Sequence, residues 1–320
     1  MELLIVVVAQ EPQLVQRWAS VHKKIKMKNT VITNLSNSEK LAKKLSKKLS
    51  IPYFQTKLNN FPDGEIYLQF TKSVKNKHLI ICQTFQPNPN QSLQQIIFAA
   101  KNAKELGVKK ITLVAPYLGF MRQDKRFHAG ENISANIMAE LLSKYTDKLI
   151  TIDPHLHRIR KMNWVFKNKA VALTSNPVIA DYIQKNFKNE VIIGPDWESY
   201  QWAQRIAKRI SVMSTVLRKV RLSSRKVESK MVNPIEIKNK NVIIVDDIIS
   251  TGHTIMEAAK KAKKLKAKSI TAICIHGLFV EGAIKKMKAK GVKQIICTNT
   301  IEKPQSKIDI TSLLAEELKK

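Results

Sequence analysis

Two stretches of this chain repeat each other. KNKHLIIC, starting at Lys75, echoes KNKNVIIV, starting at Lys238, and further on LGVKKITLVAPY from Leu106 echoes LKAKSITAICIH from Leu265. Each copy contains a short, β-branched apolar run, which reads as a buried strand of a parallel sheet. Repetition at this spacing predicts an α/β fold of two similar domains, each a parallel sheet with flanking helices running strand, loop, helix, strand. A length of 320 residues is enough for two such cores. The seam is expected near residues 165–172, giving domains 27–170 and 171–320, with the last elements free to cross back. A ligand crevice belongs at the strand C-termini where the halves meet.

Residues 1–26 stand apart from this pattern. The apolar run that follows Glu2 is too short to span a bilayer, and a signal peptide would carry positive charge before it. Met27 then opens strand, polar loop and amphipathic helix, so residues 1–26 read as an N-terminal extension, an upstream start or a weakly packed segment. With 56 Lys+Arg against 25 Asp+Glu the formal net charge is +31, a signal that must be weighed for nucleic acid. The lysines are spread over predicted helix faces without interleaved aromatics, so solvated faces and polyanionic substrates explain the charge, and no nucleic-acid or membrane partner is expected. Cys82, Cys274 and Cys297 each lie in an apolar strand-like run with no CxxC spacing. They read as buried reduced thiols of a cytoplasmic protein.

The chemistry concentrates in residues 241–254, NVIIVDDIISTGHT. The run 242–245 reads as a strand that ends at Asp246 and Asp247. Ser250, Thr251, Gly252, His253 and Thr254 form a small hydroxylic turn, and Ile255, Ala258, Ala259, Ala262 and Leu265 follow at helical spacing. A strand, a polar turn and a helix start make an anion site, because unpaired backbone N–H groups and the positive helix end face the turn. Phosphate alone gives two adjacent acids no electrostatic use. A phosphorylated ribose does, through hydroxyls that donate to carboxylates or a divalent cation that needs oxygen ligands. The plainer reading is a βα turn whose Asp and Ser cap the helix.

Four further segments carry polar clusters at predicted strand ends. Phe61-Pro62-Asp63-Gly64-Glu65 is strong turn chemistry for a hairpin. APYLGFMRQDKR, residues 115–126, leads from a strand into Arg122, Gln123 and Asp124, which by charge alone could be a solvated loop. LITIDPHLH, residues 149–157, is a strand broken by Pro154, with Asp153, His155 and His157 beyond; a zinc site is disfavoured, since no further soft ligand is near. VIIGPDWES, residues 191–199, ends a strand on a turn holding Asp196. Residues 214–228 form a basic run, either a mobile loop or a cationic cover for phosphates.

In this order the segments resemble the ribose-phosphate pyrophosphokinases, the PRPP synthases, and residues 244–254 resemble the phosphoribosyl-pyrophosphate fingerprint they share with type I phosphoribosyltransferases. HG-x-F at His276 and TNT at Thr298 add to the likeness, which runs from about Thr30 to Leu314. The resemblance implies two type I phosphoribosyltransferase-like domains and transfer of the diphosphoryl group of ATP to O1 of ribose 5-phosphate. Phe61, Asp63 and Glu65 are implied at the adenine, Arg122, Gln123, Asp124 and His155 at ATP, and His155 and Asp196 at Mg2+. Asp246, Asp247 and residues 250–254 are implied at ribose 5-phosphate, with Lys219 and Arg221 in a catalytic flexible loop. It further implies a homo-oligomer, dimer or hexamer. The chain departs from the pattern at His253 and at Trp197, Glu198 and Ser199, where the family has glycines. A single-domain phosphoribosyltransferase or a non-catalytic regulatory homologue are the alternatives. Duplication speaks against the first, and the matching Lys219, Arg221, His155 and acid pair against the second.

Overall fold

The computed structural model describes residues 27–156, 161–221 and 227–320. Residues 1–26, His157 and the side chains of residues 218–221 and 227–230 lie outside the described residues. Two seven-stranded sheets carry the chain. The first comprises β1 (Thr30–Asn34), β2 (Tyr53–Asn60), β3 (Ile66–Phe70), β4 (His78–Cys82), β5 (Lys110–Val114), β6 (Lys148–Ile152) and β7 (Lys169–Leu173) in the order 3-2-1-4-5-6-7. The second comprises β8 (Glu190–Gly194), β9 (Ser214–Arg221), β10 (Val227–Met231), β11 (Asn241–Ile249), β12 (Ser269–Gly277), β13 (Gln294–Thr298) and β14 (Ser306–Ile308) in the order 10-9-8-11-12-13-14. The orders match strand for strand, so the duplication seen as two sequence echoes extends over the whole architecture. In each sheet only the outermost hairpin partner, β3 or β10, is antiparallel. Because β7 joins the first sheet, the changeover between sheets falls between Leu173 and Glu190, beyond residues 165–172.

Alternation along the buried strands sends successive side chains into different cores. On β1, Val31 enters an outer core and Ile32 the central one, and on β4 Leu79 and Ile81 alternate with Ile80 and Cys82. Helices α1 (Glu39–Leu49), α4 (Asn176–Asn186), α5 (Tyr200–Ile210) and α8 (Thr311–Leu318) supply the central core between the sheets through Leu45, Ile183, Ile206 and Leu314. Helices α2 (Pro89–Glu105) and α3 (Ser134–Tyr145) cover the outer face of the first sheet, and α6 (His253–Lys264) and α7 (Ala283–Ala289) that of the second. The last helix does cross back: α8 packs on α1, Lys44 pairs with Asp309 at 2.8 Å, and buried Lys148 pairs with buried Glu317 at 2.7 Å. All three cysteines are buried and free. Among the described residues no helix is long and apolar enough to cross a membrane.

Two local expectations need correction. The strand carrying the acid pair does not stop at Val245; pairing of Ile248 and Ile249 with His276 and Gly277 on β12 carries it to Ile249, so both acids sit inside its last turn-ward stretch. The basic run 214–228 is not a loop throughout, because β9 and β10 pair through residues 217–221 and 227–231 as an edge hairpin. Polar, lysine-rich strands are typical of edges, where one flank faces water.

Candidate active site

Each sheet has its switch point between the strands that part toward opposite edges, β1 and β4 in the first and β8 and β11 in the second, and a crevice opens beyond the C-terminal ends of such strands. At β8 and β11 it is a cavity of about 270 Å³. Asp196 and Glu198 after β8, residues 246–255 from β11 to the start of α6, and Arg122 and His155 from the first half line it. The two halves meet in a direct contact: His155 Nδ1 lies 2.6 Å from Asp247 Oδ2.

The acids are fixed by their own backbone. Asp246 Oδ1 accepts the Asp247 N–H at 3.0 Å, and Asp247 Oδ1 accepts the Ile248 N–H at 2.7 Å. Burial, then the neighbouring charges of Asp247 and Asp196, push the Asp246 carboxyl well above the usual range, so it is able to hold a proton and donate a hydrogen bond. Beyond them Gly252 adopts φ +76°, open to glycine at little cost, and α6 begins at His253. The first intrahelical acceptor there is the Gly252 carbonyl, bonded to the Met256 N–H at 2.9 Å, which leaves the earlier N–H groups of the turn without an intrahelical partner. Residues 250–254 therefore present an N-terminal anion cradle beside two carboxylates.

The glycine-poor loop after β8 holds its shape through a reciprocal pair. Ser199 N–H donates to Asp196 Oδ1 at 2.9 Å, and Ser199 Oγ donates to the Asp196 carbonyl at 2.8 Å. Trp197 turns outward, 60% exposed, and stacks on Tyr200. The departures from the glycine pattern thus leave Asp196 on the cavity wall, and Glu198, which the motif reading did not assign, joins it.

Behind His155, Asp153 holds a φ of +33°. Its Oδ2 accepts the N–H and the hydroxyl of Ser175, both at 2.6 Å, so this carboxylate anchors a strained turn and does not reach the cavity. His276, also unassigned from the motifs, is fully enclosed, with Nε2 3.3 Å from the Asp153 carbonyl, Nδ1 3.0 Å from Thr300 Oγ1 and its ring against Tyr117 at 4.9 Å. Burial pushes its pKa down to about 4, so a neutral imidazole ties β12 to the loop that carries His155.

The other predicted residues lie elsewhere. Gln123 does not line the cavity; its Oε1 accepts the Ser134 hydroxyl at 2.5 Å and its carbonyl the Ala135 N–H at 3.2 Å, so it organises the start of α3. Asp124 is half-buried and also outside the cavity lining. The hairpin predicted at Pro-Asp-Gly is present, closed by Phe61 N–H to the Glu65 carbonyl at 2.8 Å. Its tip is exposed, Phe61 at 48%, and Phe61, Asp63 and Glu65 do not line the cavity. Lys219 and Arg221 lie on β9.

Known proteins place this arrangement. A model of the N-terminal domain of ribose phosphate pyrophosphokinase matches residues 30–145, and a phosphoribosyl transferase domain matches residues 164–310. A ribose-phosphate pyrophosphokinase of Methanobrevibacter smithii is 33% identical over 296 residues, 89% of this chain and 98% of that protein. The chain belongs to the ribose-phosphate pyrophosphokinase family. Its relative from Saccharolobus solfataricus is 34% identical over 293 residues, 90% of this chain and 100% of that protein. The crystal structure of phosphoribosylpyrophosphate synthetase from Mycobacterium smegmatis superposes with a TM-score of 0.81 at 25% identity, covering 91% of this chain and 98% of that one. The family's two-domain organisation is thus matched over its length.

Proposed function

We propose that the chain transfers the diphosphoryl group of ATP to the 1-hydroxyl of ribose 5-phosphate, releasing AMP. The observation that carries this reading is the single cavity in which Arg122 and His155 of one half face the acid pair and the anion cradle of the other. Asp246 and Asp247 grip the pentose hydroxyls, and residues 250–254 receive the 5-phosphate through backbone N–H groups. Arg122 orients the polyphosphate, a task for which a guanidinium fork suits better than an ammonium. Lys219 and Arg221, on the basic edge hairpin, compensate the charge that builds on the transferred group, and no covalent intermediate is needed.

His155 and Asp196 are the residues that would hold magnesium. Among the described residues no group of three or more His, Cys, Asp or Glu forms a metal cage. That donor set fits an ion that keeps several waters and completes its shell with substrate phosphates. Bound there, magnesium would supply charge neutralisation of the phosphate oxygens. Phe61, Asp63 and Glu65 reach the nucleotide, in this reading, only where a second copy of the chain brings its hairpin tip over the crevice, consistent with a homo-oligomer. The division into domains 27–170 and 171–320 is kept as a functional one, ATP side and ribose 5-phosphate side. Three unpaired buried thiols support a reducing, cytoplasmic setting.

The test is AMP release from ATP, measured with and without ribose 5-phosphate and magnesium. Release that requires both supports the proposal. No release would favour a non-catalytic homologue, and consumption of phosphoribosyl pyrophosphate with a free base would favour a phosphoribosyltransferase. Lys219→Ala should cut turnover far more than ATP binding, and equal losses would contradict its assigned role.

A further inference from the structure

A second cluster of cations lies at the opposite end of the first sheet. His78, Lys110, Lys148 and Lys169 are the first residues of β4, β5, β6 and β7, so they gather at the strand N-termini, whereas the crevice lies beyond strand C-termini. Register places them on one face: His78 stands opposite Lys110, Thr112 opposite Lys148, and Lys148 opposite Lys169. With Asp147 and Lys320 they line a cavity of about 220 Å³. Lysines directly opposite one another on neighbouring strands repel, and the arrangement is unfavourable unless something anionic lies between them.

The protein supplies only part of that anion. Glu317 takes Lys148 at 2.7 Å and Lys320 at 3.1 Å, and Asp147 Oδ2 accepts the Ile111 N–H at 2.7 Å. Lys110 and Lys169 form no ion pair among the described residues, in contrast to Lys40, Lys43, Lys44 and Lys101, each of which has an acidic partner. We propose that this cavity is an anion site, separate from the catalytic crevice, that takes a phosphoryl oxyanion, free or carried on a small molecule, between the ammonium groups of Lys110 and Lys169. His78 reports the positive potential there. Burial first, then Lys110 and Lys148, push its pKa down to about 4, and its Nε2 sits 2.8 Å from Thr112 Oγ1, leaving it a neutral member of the wall.

The test uses the full chain at neutral pH and constant ionic strength. Inorganic phosphate and, separately, glycerol 3-phosphate are titrated in while the ring resonance of His78, assigned by its loss in His78→Gln, is followed by NMR. Saturable movement of that resonance, weakened roughly tenfold in Lys110→Gln/Lys169→Gln as expected for two partly exposed ion contacts, supports the site. A response to inorganic phosphate alone assigns the free ion, and a response to both probes admits monoesters. AMP release should be unchanged in the double variant, and its melting temperature should hold or rise because the variant removes like-charge repulsion. Movement that chloride reproduces, movement of equal affinity in the double variant, or movement confined to the crevice residues His155 and His253 would each overturn the proposal.

Discussion

The contact between His155 and Asp247 is where the two halves act as one site, and its strength can be measured as a coupling energy. His155 Nδ1 lies 2.6 Å from Asp247 Oδ2, with the His155 side chain 21% and the Asp247 side chain 7% exposed, so solvent screens the pair little. A hydrogen bond involving an ionised group in such a setting is worth about 1.5–3 kcal/mol. In rate terms that is roughly 10- to 150-fold. The substitutions are His155→Ala and Asp247→Asn, the second chosen because an amide oxygen can still accept the Ile248 N–H now bonded to Asp247 Oδ1 at 2.7 Å. With kcat/KM of ribose 5-phosphate-dependent AMP release measured for the wild type, both single variants and the double, the double should lose less than the product of the single losses by that factor. If the single losses multiply, each side chain acts alone, and the claim that the first half completes the second half's acid site fails.

Removing Glu317 leaves Lys148 buried without its partner, so Glu317→Ala should lower unfolding free energy by about 3–5 kcal/mol in urea titrations, with much of it regained in Lys148→Met/Glu317→Leu. Burial pushes the Glu317 carboxyl up, but hydrogen bonds from Lys148 and Lys320 outweigh it and hold the pKa below the usual value. Its contribution is therefore complete above the unfolded-state pKa and disappears as pH falls through the lower folded-state pKa, so the variant's deficit should shrink in acid melts. Gly252→Ala places a side chain at φ +76° with its Cβ 2.9 Å from Met287 Sδ, predicting about 1–2 kcal/mol of lost stability and a raised KM for ribose 5-phosphate. Phe61→Ala, at an exposed hairpin tip, should leave stability within about 0.5 kcal/mol and raise KM for ATP roughly tenfold if the ring stacks on the base.

Features with local causes were legible in the sequence. Turn chemistry at residues 61–65 and the strand, turn and helix around Gly252 each follow from residues within one turn of one another, and the structure has them there. Features made by pairing at a distance were not. The extension of β11 to Ile249 depends on β12, and Lys148 meets Glu317 across 169 intervening positions. Neither periodicity nor composition marks Asp153 as an anchor for Ser175, and its place beside His155 invited a ligand reading. The lysine run on β9 and β10 looked like a loop because an edge hairpin facing water need not show apolar alternation.

The duplication also shows what distinguishes the two crevices. Aligning the repeated stretches puts Gln83 and Thr84 of the first half opposite Asp246 and Asp247 of the second. The first half has its own cavity of about 300 Å³ at the corresponding switch point, lined by residues 36–41 after β1, by Thr84, Gln86 and Pro87 after β4 and by residues 299–303 after β13. There the polar groups bond to each other. Thr84 donates through Oγ1 to the Thr300 carbonyl at 2.8 Å and through its N–H to Ser38 Oγ at 2.9 Å, and Gln83 Nε2 donates to Ser36 and Ser92, both at 3.1 Å. An amide and a hydroxyl at these two positions can be satisfied within the protein, so this crevice is a structural joint between the halves. Two carboxylates at the same positions cannot both be satisfied by backbone N–H groups alone, and the burial that raises Asp246 is tolerable only where a proton, a cation or donating hydroxyls reach it. One fold, used twice, therefore carries a chemical demand in one copy only, and the side chains that answer it from across the interface, Arg122 and His155, come from the copy that lacks the demand.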